Sequence, residues 1–135
     1  MLPQMPIVAR ARVIPLHGQV VITDSEARDY PQWQTGQEKA VGLPNSVAVA
    51  TRADREGDVT IEVWGDELEL EGEEELEVAY EGELFLTGDS VDIGNVEAND
   101  LHRIRLGNGR YHLKVLTASS ATLPDRVYFV VTRLA

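Results

Sequence analysis

The sequence predicts an all-β chain: a single-domain antiparallel β-sandwich, jelly-roll-like, of about ten short strands spanning residues 1–135. Three observations predict it. Apolar residues recur at period two in runs bounded by Gly, Asn, Asp or Pro about every ten residues. No helix-length window carries an apolar stripe at i, i+3, i+4, i+7. A chain of 135 residues, 43% hydrophobic and 26% charged, has enough apolar content for one core and is unlike a disordered chain or a membrane bundle. Period two serves a sandwich and a partly closed barrel alike, so the pattern leaves that choice open.

Taken in order, the strand candidates are 7–14, 19–23, 46–51, 59–64, 76–80, 83–87, 91–93, 101–106, 110–117 and 127–134. They are rich in Val, Ile, Leu and Tyr, which suit a pleated, half-buried surface. Two longer connections interrupt the rhythm, at 24–44 and 118–125. In the first, Asp24 or Ser25 is placed to cap a helical turn over 25–29, before Tyr30, Pro31, Gln32 and Trp33 bend the chain away. Tyr30 and Trp33 are therefore candidates for a contact surface, or for a cover over one open end of the sandwich. Trp64 has the opposite parity to Val59, Ile61 and Val63 and is expected at a half-buried rim.

Charge is the most uneven property of the chain. Twelve Lys and Arg against 23 Asp and Glu leave a net charge of −11, which repels nucleic acid and anionic lipid and favours basic partners or cations. From Glu62 to Glu83 there are 11 of the 23 acids and no Lys or Arg. Glu67, Glu69, Glu71, Glu73, Glu75, Glu77, Glu81 and Glu83 are odd-numbered, while Leu68, Leu70, Leu76, Val78, Tyr80 and Leu84 are even. In extended chain that parity turns carboxylates to one side and apolar groups to the other, with Gly72 and Gly82 expected to break the run into hairpin arms. Glu69, Glu71, Glu75, Glu77 and Glu81 are the candidate partner-binding acids.

Basic residues have their own segment. Gly107, Asn108, Gly109 and Arg110 read as a two-residue hairpin loop, since Asn-Gly tolerates the positive φ of a type I′ turn. That register sets Arg105 opposite His112 and Arg103 opposite Lys114, giving one basic stripe of Arg103, Arg105, Arg110, His112 and Lys114. The acidic and basic stripes either neighbour one another and neutralise as cross-strand pairs, or lie apart and leave a negative field.

Reactive chemistry is sparse. The absence of cysteine removes disulfides, thiolate metal sites and cysteine nucleophiles and suits a reducing compartment; the N-terminus reads as strand rather than signal peptide, so the chain is expected to be cytoplasmic. His17, His102 and His112 have no zinc-binding spacing, and His102 falls on the core-facing parity of the hairpin. No metal site, cofactor or catalytic residue is expected. Ser90 lacks the second glycine of a nucleophile elbow and reads as a turn residue, and Gly107 with Gly109 begins a dinucleotide fingerprint that never completes. Asp54, Glu56 and Asp58, with Asp89 and Asp92, form an alternative: a small-ligand or calcium-dependent sandwich, without EF-hand spacing. Scattered carboxylates acting as an enzyme are a further alternative.

Several segments together resemble the bacterial competence-protein J family. They are Val20, Val21, Ile22, Thr23 and Asp24 followed by a Pro-Trp loop; 47–51 with Gly57, Asp58 and 59–63; Gly109, Arg110, Tyr111, His112, Leu113, Lys114 and Val115; and the closing strand 127–134. The chain ends Arg133, Leu134, Ala135 where a Trp-Pro is associated with such sequences. The resemblance implies a compact sandwich that binds another protein, one member being an inhibitor of a DNA-entry nuclease. Charge and resemblance converge on one expectation: a non-enzymatic, nuclease-inhibitor-like or immunity-type domain whose acidic face binds a basic protein such as a nuclease or toxin, with no nucleic-acid or membrane partner.

Overall fold

The computed structural model describes residues 7–65, 76–118 and 123–134. Within them the strands are β1 (Ile7–Val13), β2 (Gln19–Asp24), β3 (Ala40–Leu43), β4 (Ser46–Ala50), β5 (Val59–Gly65), β6 (Leu76–Leu86), β7 (Ser90–Asn95), β8 (Asp100–Arg105), β9 (Gly109–Ala118) and β10 (Arg126–Arg133). They form two five-stranded sheets, in the orders β1-β5-β10-β9-β6 and β3-β4-β2-β7-β8. The choice between sandwich and barrel thus falls to the sandwich. Neighbouring strands are antiparallel except β5 and β10, which run parallel and which a long crossover separates in the chain.

Alternation builds the core between the sheets. Val59, Ile61 and Val63 of β5, Val127, Phe129 and Val131 of β10, and Leu113 and Val115 of β9 face Val20 and Ile22 of β2, Val47 and Val49 of β4, and Val91 and Ile93 of β7. Burying each such side chain contributes about 1.5–3 kcal/mol. A second, smaller cluster lies on the other side of the first sheet: Trp64, Tyr128 and Val130, with Leu76 and Leu116. Trp64 is 5% exposed, not half-buried at a rim, and its indole N–H donates to Glu62 Oε1 at 3.1 Å.

Four expectations are corrected. The segments 76–80 and 83–87 form one strand, β6, because Gly82 pairs with Leu113 and continues the ladder; Gly72 lies outside the described residues. β3 forms within the long connection 24–44, where its four residues, one of them Gly, gave too short a pattern to read. At 25–29 there is a turn and no helix: Asp24 Oδ1 accepts from the Glu26 N–H at 3.2 Å, and the chain then leaves the turn. Ser90 opens β7, its hydroxyl 3.0 Å from Asp89 Oδ1.

A fifth correction concerns residues 107–110, which make no hairpin. β8 pairs with β7 in one sheet and β9 with β10 and β6 in the other, so this segment is an arch between sheets. A type I′ turn needs positive φ at Asn108 and Gly109; here Gly107 (φ 92°) and Gly109 (φ 141°) have it and Asn108 does not. The Leu106 and Gly107 N–H groups donate to Asp89 O at 3.0 and 2.8 Å. The Tyr111 hydroxyl sits 2.7 and 2.8 Å from the carbonyl oxygens of Leu106 and Gly107 and accepts from Arg133 Nη1 at 3.0 Å. Arg133 Nη2 donates to Asn108 O at 2.8 Å, so the arch is fixed from the end of β10.

Candidate partner-binding surface

The acidic run meets the sheet through β5 and β6. Glu62 on β5 is 8% exposed and lies 3.3 Å from Arg10 of β1, its register partner. On β6 a bulge at Ala79 breaks the parity: Val78 pairs with Leu116, yet Tyr80 pairs with Val115. Because one extra residue exchanges the two faces, Leu76 and Val78 come to the outer side beside Leu116, while Glu77 joins Thr117 on the side facing the other sheet. Glu77 there meets Lys39 Nζ at 3.0 Å, at the margin where the two sheets close. The odd-even rule therefore holds for Glu81 and Glu83 and fails for Glu77. Glu69, Glu71 and Glu75 lie outside the described residues.

Glu81 and Glu83 point outward and have basic neighbours. Glu81 stands opposite Lys114 and reaches diagonally to His112 Nε2 at 2.8 Å; Glu83 stands opposite His112 and reaches diagonally to Arg110 Nε at 3.7 Å. Diagonal contacts of this sort lie within reach of long side chains on one sheet face. The side chains of Glu83 and Arg110 are each nearly half exposed, so water screens the pair and it contributes about 0–1 kcal/mol.

The single basic stripe is divided between the sheets, since β8 and β9 do not pair. Arg110, His112 and Lys114 lie on β9 beside the β6 acids. Arg103 and Arg105 lie on β8, at the edge of the other sheet, and turn to β7: Arg103 Nε is 3.0 Å from Asp92 Oδ1, with Nη2 3.4 Å from Oδ2, and Arg105 Nε is 3.2 Å from Asp89 Oδ2. The hydrogen bonds from Arg103 to Asp92, with the attraction of that carboxylate, raise the Arg103 pKa. His102 keeps the core-facing parity, opposite Ile93 and in step with Ile104, yet it is exposed, because β8 is an edge strand and the residue lies near its end.

Asp89 and Asp92 thus face arginines, Asp54 begins a 3-10 turn, and Asp58 accepts through its backbone oxygen from Arg52 Nη2 at 2.6 Å. Among the described residues no three His, Asp or Glu side chains converge on a point fit for a metal ion. No helix among them is long and apolar enough to cross a membrane.

Tyr30 and Trp33 lie against the outer face of the second sheet, not over an open end. Trp33 Nε1 donates to Gln19 Oε1 at 2.8 Å, and the segment lies over Val21 and Ala48, which are 5% and 2% exposed. Tyr30 keeps 38% of its surface exposed. Clefts of about 270 and 400 Å³ flank the segment, the first towards Asn95 and Glu97, the second towards β3. Sequence reading missed β3 and Lys39 as parts of this surface; both sit in a connection, and only tertiary packing brings them to β6.

With the strand order and registers in hand, the architecture can be compared with solved structures. Its fold is that of ComJ. The crystal structure of ComJ, inhibitor of the DNA degrading activity of NucA, from Bacillus subtilis, matches with a TM-score of 0.71 and 12% identity, covering 98% of this chain and 100% of that one. No protein-family model and no curated protein sequence matches the chain. The likeness to ComJ is one of fold, and it meets the expectation drawn from the competence-protein J resemblance at that level.

Proposed function

We propose that the chain is a non-enzymatic protein-binding domain, an inhibitor or immunity-type partner of a basic protein such as a nuclease, acting in the cytoplasm, the reducing compartment that a chain without cysteine suits. The observation that carries the proposal is the ComJ fold joined to a charge of −11 whose acids gather between β5 and β6. Residues 66–75 alone hold Asp66, Glu67, Glu69, Glu71, Glu73, Glu74 and Glu75, with no Lys or Arg. Glu62, Glu77, Glu81 and Glu83 each have a basic side chain within 4 Å. The other seven acids of the run lie in 66–75, and we take Glu69, Glu71 and Glu75 as the leading contacts, with Glu77 and Glu81, which already have basic neighbours, contributing less. Carboxylates offered where a nuclease receives phosphates draw it by long-range attraction, which raises the association rate tenfold or more and fades with salt.

The test starts from capture of the partner out of native cytoplasm at low salt, with elution at high salt. Association rates are then compared for the unaltered chain and the double variant Glu69→Lys/Glu71→Lys. The variant associates more slowly and with a flatter salt dependence. An identical rate for both chains across the salt series overturns the proposal.

A further inference from the structure

The two sheets have four edge strands, and three carry charge: Arg10 and Arg12 on β1, Glu77, Glu81 and Glu83 on β6, Arg103 and Arg105 on β8. Charges on an edge oppose the docking of a further strand. β3, the fourth edge, is Ala40, Val41, Gly42 and Leu43 and has none within it, the charge of the preceding Lys39 being turned to Glu77 of β6. Its free side can be identified. The Ala50 N–H donates to Lys39 O at 2.9 Å, so Lys39, Val41 and Leu43 turn their backbone groups to β4. By alternation Ala40 and Gly42 direct an N–H and a C=O each away from the sheet, four groups in all, and Gly42 is exposed. Beneath it lies the Tyr80 ring, whose Cζ would be 2.8 Å from any Cβ at position 42; this close approach is what requires glycine there. Beside the strand opens the cleft of about 400 Å³ lined by Tyr30, Pro31, Gln32, Gln34, Val41 and Leu43.

We infer that the free edge of β3 is a strand-acceptor site, taking an extended protein segment into the second sheet with an apolar side chain seated in the Tyr30 cleft. The backbone groups of Ala40 and Gly42 form four hydrogen bonds with it, and the cleft selects among its alternate side chains. A second copy of this chain is the weaker occupant. Pairing two four-residue edges buries far less than the roughly 1,200 Å² of a stable interface, and each copy brings a charge of −11. The occupant is therefore a segment of a different protein, uncharged at its centre and flanked by basic residues. That this segment belongs to the inhibited partner rests on the function proposed above; the acceptor capacity of the edge does not.

The probe is a displayed library of random dodecapeptides selected against the full chain, followed by amide exchange on the complex. Selected peptides slow exchange at Ala40 and Gly42 and lose about tenfold or more in affinity to Ala40→Pro, which removes an outward N–H at the first position of an edge strand, where proline is tolerated. Val41→Glu, which puts a charge on the outer side of β3, has the same effect and stands in if the proline variant does not fold. Glu56→Gln, in the exposed 3-10 turn after β4, leaves peptide affinity unchanged. Failure of any peptide to enrich, equal binding to both β3 variants, or protection confined to other amides overturns the inference. Edge binding together with no nuclease inhibition would sustain the acceptor site and reject the proposed function. Undiminished inhibition by variants that no longer bind peptide would leave the function standing and remove β3 from the partner's docking site.

Discussion

Asp24 offers a sharp test of how the sandwich is held. It ends β2 with 1% of its surface exposed, and its carboxylate gathers four donors: Oδ2 lies 2.8 Å from Thr87 N and 2.7 Å from Thr87 Oγ1, and Oδ1 lies 3.2 Å from Glu26 N and 3.3 Å from Gly88 N. The turn from β6 to β7 is thereby tied to the end of β2, joining the two sheets. In Asp24→Asn one oxygen becomes an amide nitrogen that cannot accept, so a pair of donors is stranded and the charge that strengthens all four bonds is gone. Hydrogen bonds to a charged group contribute about 1.5–3 kcal/mol each, and the relief of burying a charge offsets part of the loss, giving a net cost of about 2–3 kcal/mol. For a chain of this length that is a fall in Tm of about 6–12 °C.

The pH dependence makes the argument specific to the carboxylate. Burial alone would raise the Asp24 pKa, but the hydrogen bonds from the Thr87 hydroxyl and amide, then from the amides of Glu26 and Gly88, outweigh it and hold the pKa below its ordinary 3.8. A group whose native pKa is depressed contributes stability that is complete above its unfolded pKa and is lost as pH falls through the native one. The stability gap between the unaltered chain and Asp24→Asn, measured by urea denaturation, is therefore widest above pH 3.8 and narrows as pH falls from there through the lower native pKa. Every other carboxylate is common to both chains and cancels in the difference. A gap of the same size at neutral pH and at about pH 3, or none at neutral pH, would refute the reasoning.

Two further outcomes follow from the same contacts. Tyr111→Phe removes the hydroxyl that joins the Leu106 and Gly107 carbonyls to Arg133 and costs about 1–3 kcal/mol by chemical denaturation; Arg133→Ala then costs less in the Tyr111→Phe background than alone, and additive costs would show that the two do not act together. Glu38 accepts from the Thr35 hydroxyl and the Gln34 amide, which push its pKa down to about 2 from 4.5, so the 34–38 turn is fully held above pH 4.5 and loosens as pH falls towards 2; amide exchange at Gln34 and Thr35 reads this, and Glu38→Gln abolishes the dependence.

Much of the molecule is legible in its sequence, because alternation is a local property. Where Val59, Ile61 and Val63, or Val127, Phe129 and Val131, repeat at period two, the chain has little choice but a strand with one buried face, and nearly every strand lies within a residue or two of its expected position. The competence-protein J pattern likewise leads to the fold that the comparison with ComJ shows. Reading the charges as one acidic face against one basic stripe was less successful, for a physical reason. A strand's parity says which residues share a face; it does not say which strand lies alongside or where a bulge exchanges the faces.

Those decisions belong to tertiary structure. Asn108 looks like a hairpin residue, yet the arch is set by Tyr111 and Arg133, neither of which is local to the turn. Glu77 shares the parity of Glu81 in sequence and loses it to a bulge at Ala79, which brings Leu76 into the outer apolar cluster with Trp64 and sends Glu77 to Lys39. β3 is too short to announce itself and exists because β4 gives its backbone a partner. Composition and periodicity thus determined the class of fold, the positions of most strands and the excess of negative charge. Strand order, the bulge and the pairing of each ion were decided only in three dimensions, since hydrogen bonds between distant strands and packing between sheets are interactions no local pattern contains.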